Sequence, residues 1–448
     1  MILQFSIKNY KTFKEKAVLS LIASNYDKDT REDENIYHNE EFGLRLLKSA
    51  VIYGANASGK SKLLDAFAFM KKYVINSSKK GQKGDKIDVD PFRLNSETEK
   101  EPSEFEIIFV HKKVLYRYGF EVTKKRVISE WLFYKPKTKE IELFYRDNNN
   151  FDTHSRSFSK GKTVIKEGLV RDNALLLSVA AQFNDKTSNN VIDWFKRLKT
   201  LSGLNESGYQ GYTMGKTEDP IHKAKILNLL KVADLGIKDI NLKKIDVDKL
   251  PKDLPKHLKE KILKEVSEEN AQYVSDVLTT HKKYDSNGNS IDNVNFSLDD
   301  DESSGTRKYF ALTGPILDVI ENGYTLVIDE LDSKLHPNLV CRIVSLFNSK
   351  ELNTKNAQLI FNTHDTNLLS TGLFRRDQIW FTDKNKYGEA KLYSLADFKS
   401  DEVKKNEPFE ENYIRGKYGA IPFLGFFENL NNLLTQNENE KWKEGANC

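Results

Sequence analysis

The sequence predicts an α/β fold: a mixed central sheet with an antiparallel β meander beside it and a helical insertion between its two halves. Three observations predict it. The short apolar runs "SAVIYG", "YTLVIDE" and "AQLIFNT" have the character of strands buried on both faces of a parallel sheet. Alternating β-branched and aromatic segments fill residues 104–146, as in a meander. Helical spacing takes over from about 170 to 283.

Each element follows from local pattern. Residues 2–8 and 17–23 alternate as strands on either side of a polar turn at Lys11 and Thr12, and the charged stretch 25–45 reads as a surface loop. After the strand "SAVIYG", the segment "KSKLLDAFAFMKKYVI" places Leu63, Leu64, Phe67 and Met70 on one helical face, and a Lys/Gly/Ser-rich loop follows at 77–88. "FEIIFV", "VLYRYGFEV", "VISEWLFY" and "IELFYR" are the strands of the meander. In the insertion, Pro251 and Pro255 break helices ahead of "HLKEKILKEVSEENAQYVSDVL", where Leu258, Ile262, Leu263 and Val266 share a face. It is too short for a long coiled-coil arm. Helices at about 306–321 and 336–349 alternate with the two later buried strands, and "QIWFTDK" and "KLYSL" read as terminal strands. The expected organisation is an N-terminal lobe at 1–165, a helical insertion at 166–295, a C-terminal lobe at 296–400 and a tail segment at 401–448.

The composition narrows the classes. Hydrophobic content of 38% with 30% charged residues describes a well-solvated globular protein, and no apolar run approaches the ~18–20 residues that cross a bilayer. The N-terminus alternates like a strand and lacks a signal peptide's apolar core, so a cytoplasmic location without membrane association is expected. Two cysteines, Cys341 and Cys448, form neither a disulfide framework nor a metal site. Seventy basic residues against 66 acidic ones make no nucleic-acid stripe, and runs such as "INSSKKGQKGDK" read as solvated surface. A local DNA-facing patch stays open.

Residues 54–61, Gly54, Ala55, Asn56, Ala57, Ser58, Gly59, Lys60 and Ser61, fit G-x-x-x-x-G-K-[ST] in full, after a strand and before a helix. The two glycines let the backbone turn its N–H groups towards phosphate oxygens. Lys60 reaches the β- and γ-phosphates, Ser61 offers a hydroxyl to Mg²⁺, and the helix N-terminus faces the same anion. Binding alone does not hydrolyse a nucleotide; a metal-binding acid and a group that orients water are also needed. "TLVIDELD" supplies both at the end of a buried strand: Asp329 suits the Mg²⁺ shell and Glu330 suits a general base. His364, directly after "LIFNT", lies at the strand end where it can meet a γ-phosphate. Ser303, Ser304 and Gly305 precede a helix and form either a second anion site or a plain N-cap behind Glu302.

The order and spacing of these motifs resemble ABC-type P-loop NTPase heads, in the branch of the chromosome-maintenance (SMC-like), Rad-fifty-like and overcoming-lysogenization-defect ATPases. More narrowly, "GANASGKS", "ESSGTRKYFAL", "VIDELDSKLHP", "FNTHDTNLLS", "RRDQIWF", "LYSLADF" and "YIRGKYGAIP" are similar to the abortive-infection and RloA-like bacterial AAA family ATPases of anti-phage defence. The likeness touches residues 1–145 and 296–422. It implies ATP and Mg²⁺ as ligands and a head that works as a homodimer, with higher oligomers open. Ser303, Ser304 and Gly305 of one protomer would then cover ATP on the P-loop of the other, with "LDSKLH" as the D-loop along the seam. Departures are the signature Glu-Ser-Ser-Gly-Thr, His336 where many relatives have a D-loop aspartate, and no Q-loop glutamine, Gln82 being only loosely placed.

The expected function is therefore an ATPase that senses and scaffolds in anti-phage (abortive infection) defence. Fifty residues follow "YSLADF", too few for the nuclease domain that some such relatives carry there, so an effector in trans is expected: a nuclease or toxin, with a topoisomerase-primase-like partner implied by the likeness. The alternative is a RecF- or Rad-fifty-like repair or recombination ATPase that clamps DNA. A transporter's ATPase subunit is disfavoured by the signature and the insertion.

Overall fold

The computed structural model describes residues 1–26, 28–153, 158–246, 272–399, 401–404 and 407–422. Its strands and helices, in chain order, are β1 (Ile2–Lys8), β2 (Ala17–Ser20), α1 (Glu32–Asn35), β3 (Ile36–Asn39), β4 (Leu44–Leu47), β5 (Ser49–Tyr53) and α2 (Lys60–Asn76). Then come the meander strands β6 (Ser103–His111), β7 (Val114–Val122), β8 (Val127–Lys135), β9 (Ile141–Asp147) and β10 (Asn150–Asp152). Next are α3 (Ser159–Lys166), α4 (Leu176–Gln182), α5 (Lys186–Arg197), β11 (Leu198–Ser202), α6 (Ser207–Lys216) and α7 (Pro220–Val232). Strands β12 (Asp239–Asp246), β13 (Gln272–Tyr284) and β14 (Ser290–Ser297) follow. The last described strands and helices are α8 (Ser304–Asn322), β15 (Thr325–Asp329), α9 (Pro337–Asn348), β16 (Gln358–Asn362), β17 (Ile379–Lys384), β18 (Ala390–Ser394) and α10 (Phe409–Ile414).

A six-stranded sheet in the order β11-β15-β16-β5-β17-β18 forms the centre, parallel except for β18. Its strands read as unbroken apolar runs because both faces are covered. Along β5, Ala50 and Ile52 enter one core while Val51 and Tyr53 enter the other, as side-chain alternation requires. The first core lies between this sheet, α2 and a seven-stranded antiparallel sheet, β10-β9-β8-β7-β6-β1-β2. Leu63, Leu64, Phe67 and Met70 of α2 are all buried in it. The second core holds α8 and α9 against the opposite face. Among the described residues no helix is long and apolar enough to cross a membrane.

Two expectations change. Residues 25–45 are not a plain loop: α1 and the β3–β4 hairpin lie there, because Ile36, Leu46 and Leu47 are buried. The segment 166–295 is not simply helical. It contributes β11, an edge strand of the central sheet paired with β15, and the antiparallel sheet β12-β13-β14. Residues 272–283, expected to close a long helix, are extended instead; Val277 and Thr279 are buried while their neighbours are not, a period of two. Leu258, Ile262, Leu263 and Val266 lie outside the described residues, as do residues 423–448 of the tail. Helices α3–α5 form part of the first core, not a separate body. The N-terminal end of α4 is fixed there by the fully buried Glu130, whose carboxylate accepts the N–H groups of Leu176 and Leu177 at 2.6 and 3.0 Å.

Candidate functional site

The site begins where β5 ends. A Cβ on Gly54 would stand 2.3 Å from the Thr382 carbonyl of β17, so only glycine fits where the two backbones cross. Ala57 (φ 62°) and Gly59 (φ 116°) take left-handed backbone, and they curl the loop tightly enough to deliver Lys60 to the first turn of α2. Ser58 bonds Thr382 through their hydroxyls at 2.6 Å, tying the loop to β17.

Lys60 is buried and its ammonium donates to the carbonyls of Gly54 and Ala55 at 2.6 and 3.2 Å. Burial pulls its pKa below the usual lysine range, against the pull of Glu330, Asp332 and Asp329, whose carboxylates favour the charged form. A buried cation at the first turn of a helix suits an anion as its remaining partner.

Around it lies a cavity of about 560 Å³, lined by Ala55 to Lys62 together with Thr12, Glu330, His364 and Lys384. The predicted residues Ala55, Asn56, Ala57, Ser58, Gly59, Lys60, Ser61, Glu330 and His364 thus converge from three places in the chain. Three lysines, Lys60, Lys62 and Lys384, face one space, as a polyphosphate requires. Asp329 sits at the end of β15 behind this lining; its Oδ1 accepts from Asn362 Nδ2 at 2.6 Å, leaving Oδ2 for another partner. Glu330 has left-handed backbone (φ 54°), its N–H held by Asn362 Oδ1. The His364 N–H donates to Asp332 Oδ2 at 3.2 Å, which joins the strand end after β16 to the turn after β15.

Ser303, Ser304 and Gly305 do not line this cavity. They cap α8: Ser303 Oγ accepts from the Thr306 N–H at 3.1 Å, and the Ser303 and Ser304 side chains are exposed. Gly305 packs so closely that a Cβ would lie 2.8 Å from the Lys334 carbonyl. Gln82 lies past the end of α2 with its N–H on Asp85, away from the cavity lining. His336 caps α9, its Nδ1 accepting from the Asn338 N–H at 3.2 Å, the acceptor role an aspartate would fill there.

Sequence reasoning missed Thr12, Lys384 and Asn362. Thr12 comes from the turn after β1, and its buried hydroxyl has no partner within the described residues. It lies where a Cβ on Gly59 would be 3.0 Å away, so the cavity has an unfilled polar lining. Asn362 was visible as a polar residue ending an otherwise apolar strand, but its bridge between Asp329 and Glu330 depends on sheet order.

Residues 49–370 match the family model described as "AAA domain, putative AbiEii toxin, Type IV TA system". The chain belongs to this family. The match runs from β5 through His364, so every site element named above except Thr12, Thr382 and Lys384 lies inside the family domain. No curated protein matches the sequence. Similar solved structures include an SMC head domain from Thermotoga maritima, at 12% identity and TM-score 0.42, covering 88% of this chain and 98% of that one. A second is an SMC head bound to the C-winged helix domain of ScpA, at 13% identity and TM-score 0.41, covering 88% and 97%. A third is an Smc head with an extended coiled coil bound to the C-terminal domain of ScpA from Pyrococcus furiosus, at 12% and 0.35, covering 88% and 96%.

A nucleotide and a divalent cation fit the residues present. Lys60 and the loop N–H groups suit the phosphates, and Ser61 with Asp329 offers the oxygen ligands that Mg²⁺ prefers alongside phosphate oxygens. Among the described residues no group of three or more His, Cys, Asp or Glu forms a protein-only metal cage. A Mg²⁺ that takes its other ligands from substrate and water needs none.

Proposed function

We propose that the chain binds and hydrolyses ATP as a homodimer and acts as a sensor and scaffold in bacterial anti-phage defence, controlling an effector in trans. One observation carries the ATPase part: Lys60, Glu330 and His364 line a single cavity while Ser303–Gly305 stay outside it. A site with cradle, base and switch but no cover is half a site, and a second copy supplies the missing half. Membership in a family described by a toxin and a type IV system supports a place in a growth-arresting response.

In this reading the P-loop N–H groups and Lys60 hold the β- and γ-phosphates. Mg²⁺, held by Ser61 and Asp329, would neutralise phosphate charge as the bridging bond breaks. Glu330 takes a proton from water as that water's oxygen bonds the γ-phosphorus. The bond from the γ-phosphorus to the leaving ADP oxygen breaks, releasing ADP and phosphate. His364 contacts the γ-phosphate from the far strand end. Ser303, Ser304 and Gly305 of the second protomer close over it and exclude bulk water.

The test is Glu330→Gln. ATP binding should persist while turnover falls by about 10²–10⁴, the usual worth of a general base. Wild-type turnover in this variant would remove the base assignment. For the cellular part, phage plating is compared between hosts carrying the locus with wild-type chain and with Lys60→Ala; protection should disappear with the lysine. If expression of the chain by itself arrests growth, the effector is not in trans. Strong, steeply salt-dependent binding of Glu330→Gln with ATP to duplex DNA would favour the DNA-clamp alternative.

A further inference from the structure

Lys308 is a charge buried outside the cavity. It lies one turn into α8, is fully buried, and reaches neither cavity nor solvent. Its ammonium donates to the Glu330 carbonyl at 3.1 Å and to the Ser333 carbonyl, both in the turn that follows β15. Burial brings its pKa down to about 8, with Asp332, Glu206 and Glu330 pulling it back up and Lys334 pushing it further down. Burying an ammonium is costly unless its donors are used. An apolar residue of similar length would fill the space without that cost, so the donors have a local task.

That task is visible in Glu330. Its backbone is left-handed (φ 54°), a conformation that disfavours side-chain-bearing residues. Strain of this kind persists only where the surroundings over-determine it. Here the N–H is held by Asn362 Oδ1 on one side and the carbonyl by Lys308 Nζ on the other. The same turn is pressed from two further directions. Gly203 donates to the Asp329 carbonyl at 2.6 Å and leaves no room for a Cβ, which would come within 2.0 Å of the Glu330 carbonyl. Gly305, three residues before Lys308, packs so tightly on the Lys334 carbonyl that a Cβ would stand only 2.8 Å from it. The start of α8 and the turn after β15 are therefore one clamped unit.

The geometry points to Lys308 as a positioning residue that sets the Glu330 backbone for catalysis and couples it to the Ser303–Gly305 cap on the same helix. This rests on the ATPase reading above. In a composite dimer, the cap at the head of α8 meets the partner's nucleotide, while Glu330 serves the nucleotide on its own P-loop. Movement of α8 on engaging one nucleotide would then be felt at the base of the other site through Lys308. Lys308 touches no reacting atom; it acts through Glu330.

The experiment is a double-mutant cycle on ATP turnover with Lys308→Met and Glu330→Gln, alongside nucleotide affinity. Lys308→Met should lower kcat by roughly 100-fold, as expected for a base displaced by about 1 Å, with affinity for a non-hydrolysable ATP analogue changed by less than about twofold. In the Glu330→Gln background the same substitution should cost nothing further, because the group it positions is gone. Lys308→Gln, which keeps an N–H donor group on a shorter side chain, should recover part of the lost turnover. Multiplicative losses in the double variant, parallel loss of affinity and kcat, or unchanged turnover in Lys308→Met would each overturn the assignment. So would failure of both Lys308 variants to fold, which would make the lysine a stability residue. If the wild-type protein itself hydrolyses no ATP, the ATPase reading has failed, and that result is distinct from every outcome named for Lys308.

Discussion

At the scale of single residues, the cradle lies in one short segment, Glu330 and His364 join it from separate motifs, and other lining residues come only with the fold. Gly54 to Ser61 fix their chemistry by spacing alone, because cradle, cation and hydroxyl all come from one strand–loop–helix junction. Thr12 and Lys384 come from a turn and a strand end that only the sheet order brings to the cavity, so no local pattern could announce them. His336 shows the reverse case, a departure from a family motif that the structure explains. Its Nδ1 accepts the Asn338 N–H at the start of α9, which is what an aspartate would do. An aspartate would do it with a full negative charge at the positive end of the helix. His336→Asp should therefore stabilise the protein by about 0.5–1 kcal/mol, read as a higher urea midpoint with an unchanged slope. A lower midpoint would mean that the imidazole has a second structural role.

Whole elements were misread where two periods compete. The meander and the buried strands of the central sheet were clear because alternation and unbroken apolar runs each have one interpretation. In 272–283 charged and apolar residues satisfy a helical face on paper, yet the chain is the middle strand of a small sheet, between β12 and its hairpin partner β14. Helix α5 was correctly seen as helical, but its burial against the meander was not. That packing includes His111 on β6, whose Nε2 lies 3.0 Å from Asp193 on α5. Burial depresses the His111 pKa to about 4 from an ordinary 6.5, more than the Asp193 carboxylate can restore. The folded ring thus stays neutral where the unfolded one takes a proton. The stability this contributes is present above pH 6.5 and is lost as pH falls towards 4. The loss should be on the order of 3 kcal/mol, and His111→Gln, which keeps a donor for Asp193 and cannot titrate, should have a flatter stability profile across that window. Parallel profiles for the two proteins would mean that the docking of α5 is not what titrates.

At the scale of the whole molecule, the feature that matters is where Ser303–Gly305 lie relative to the cavity. The central sheet delivers Lys60, Glu330 and His364 to one cavity, whereas Ser303–Gly305 at the head of α8 do not line it. The chain's length, charge and motif order made both halves visible, but only the folded topology separates them in space. If the missing cover comes from a second copy, two inactive variants can repair one another. Lys60→Ala loses the cation that holds the phosphates but keeps its signature. Ser304→Arg keeps its P-loop and should still bind ATP, while its bulky cation blocks the face that must close on a partner. Each alone should show no turnover. Mixed in equal amounts, half of the dimers pair one of each, and each such dimer has one site with both halves intact and one with both damaged. Turnover should therefore return to about a quarter of the wild-type value per protomer, and should fall away on dilution as dimers dissociate. A mixture that stays inactive, while each variant is folded and Ser304→Arg binds ATP, would place the signature in the same protomer's site after all.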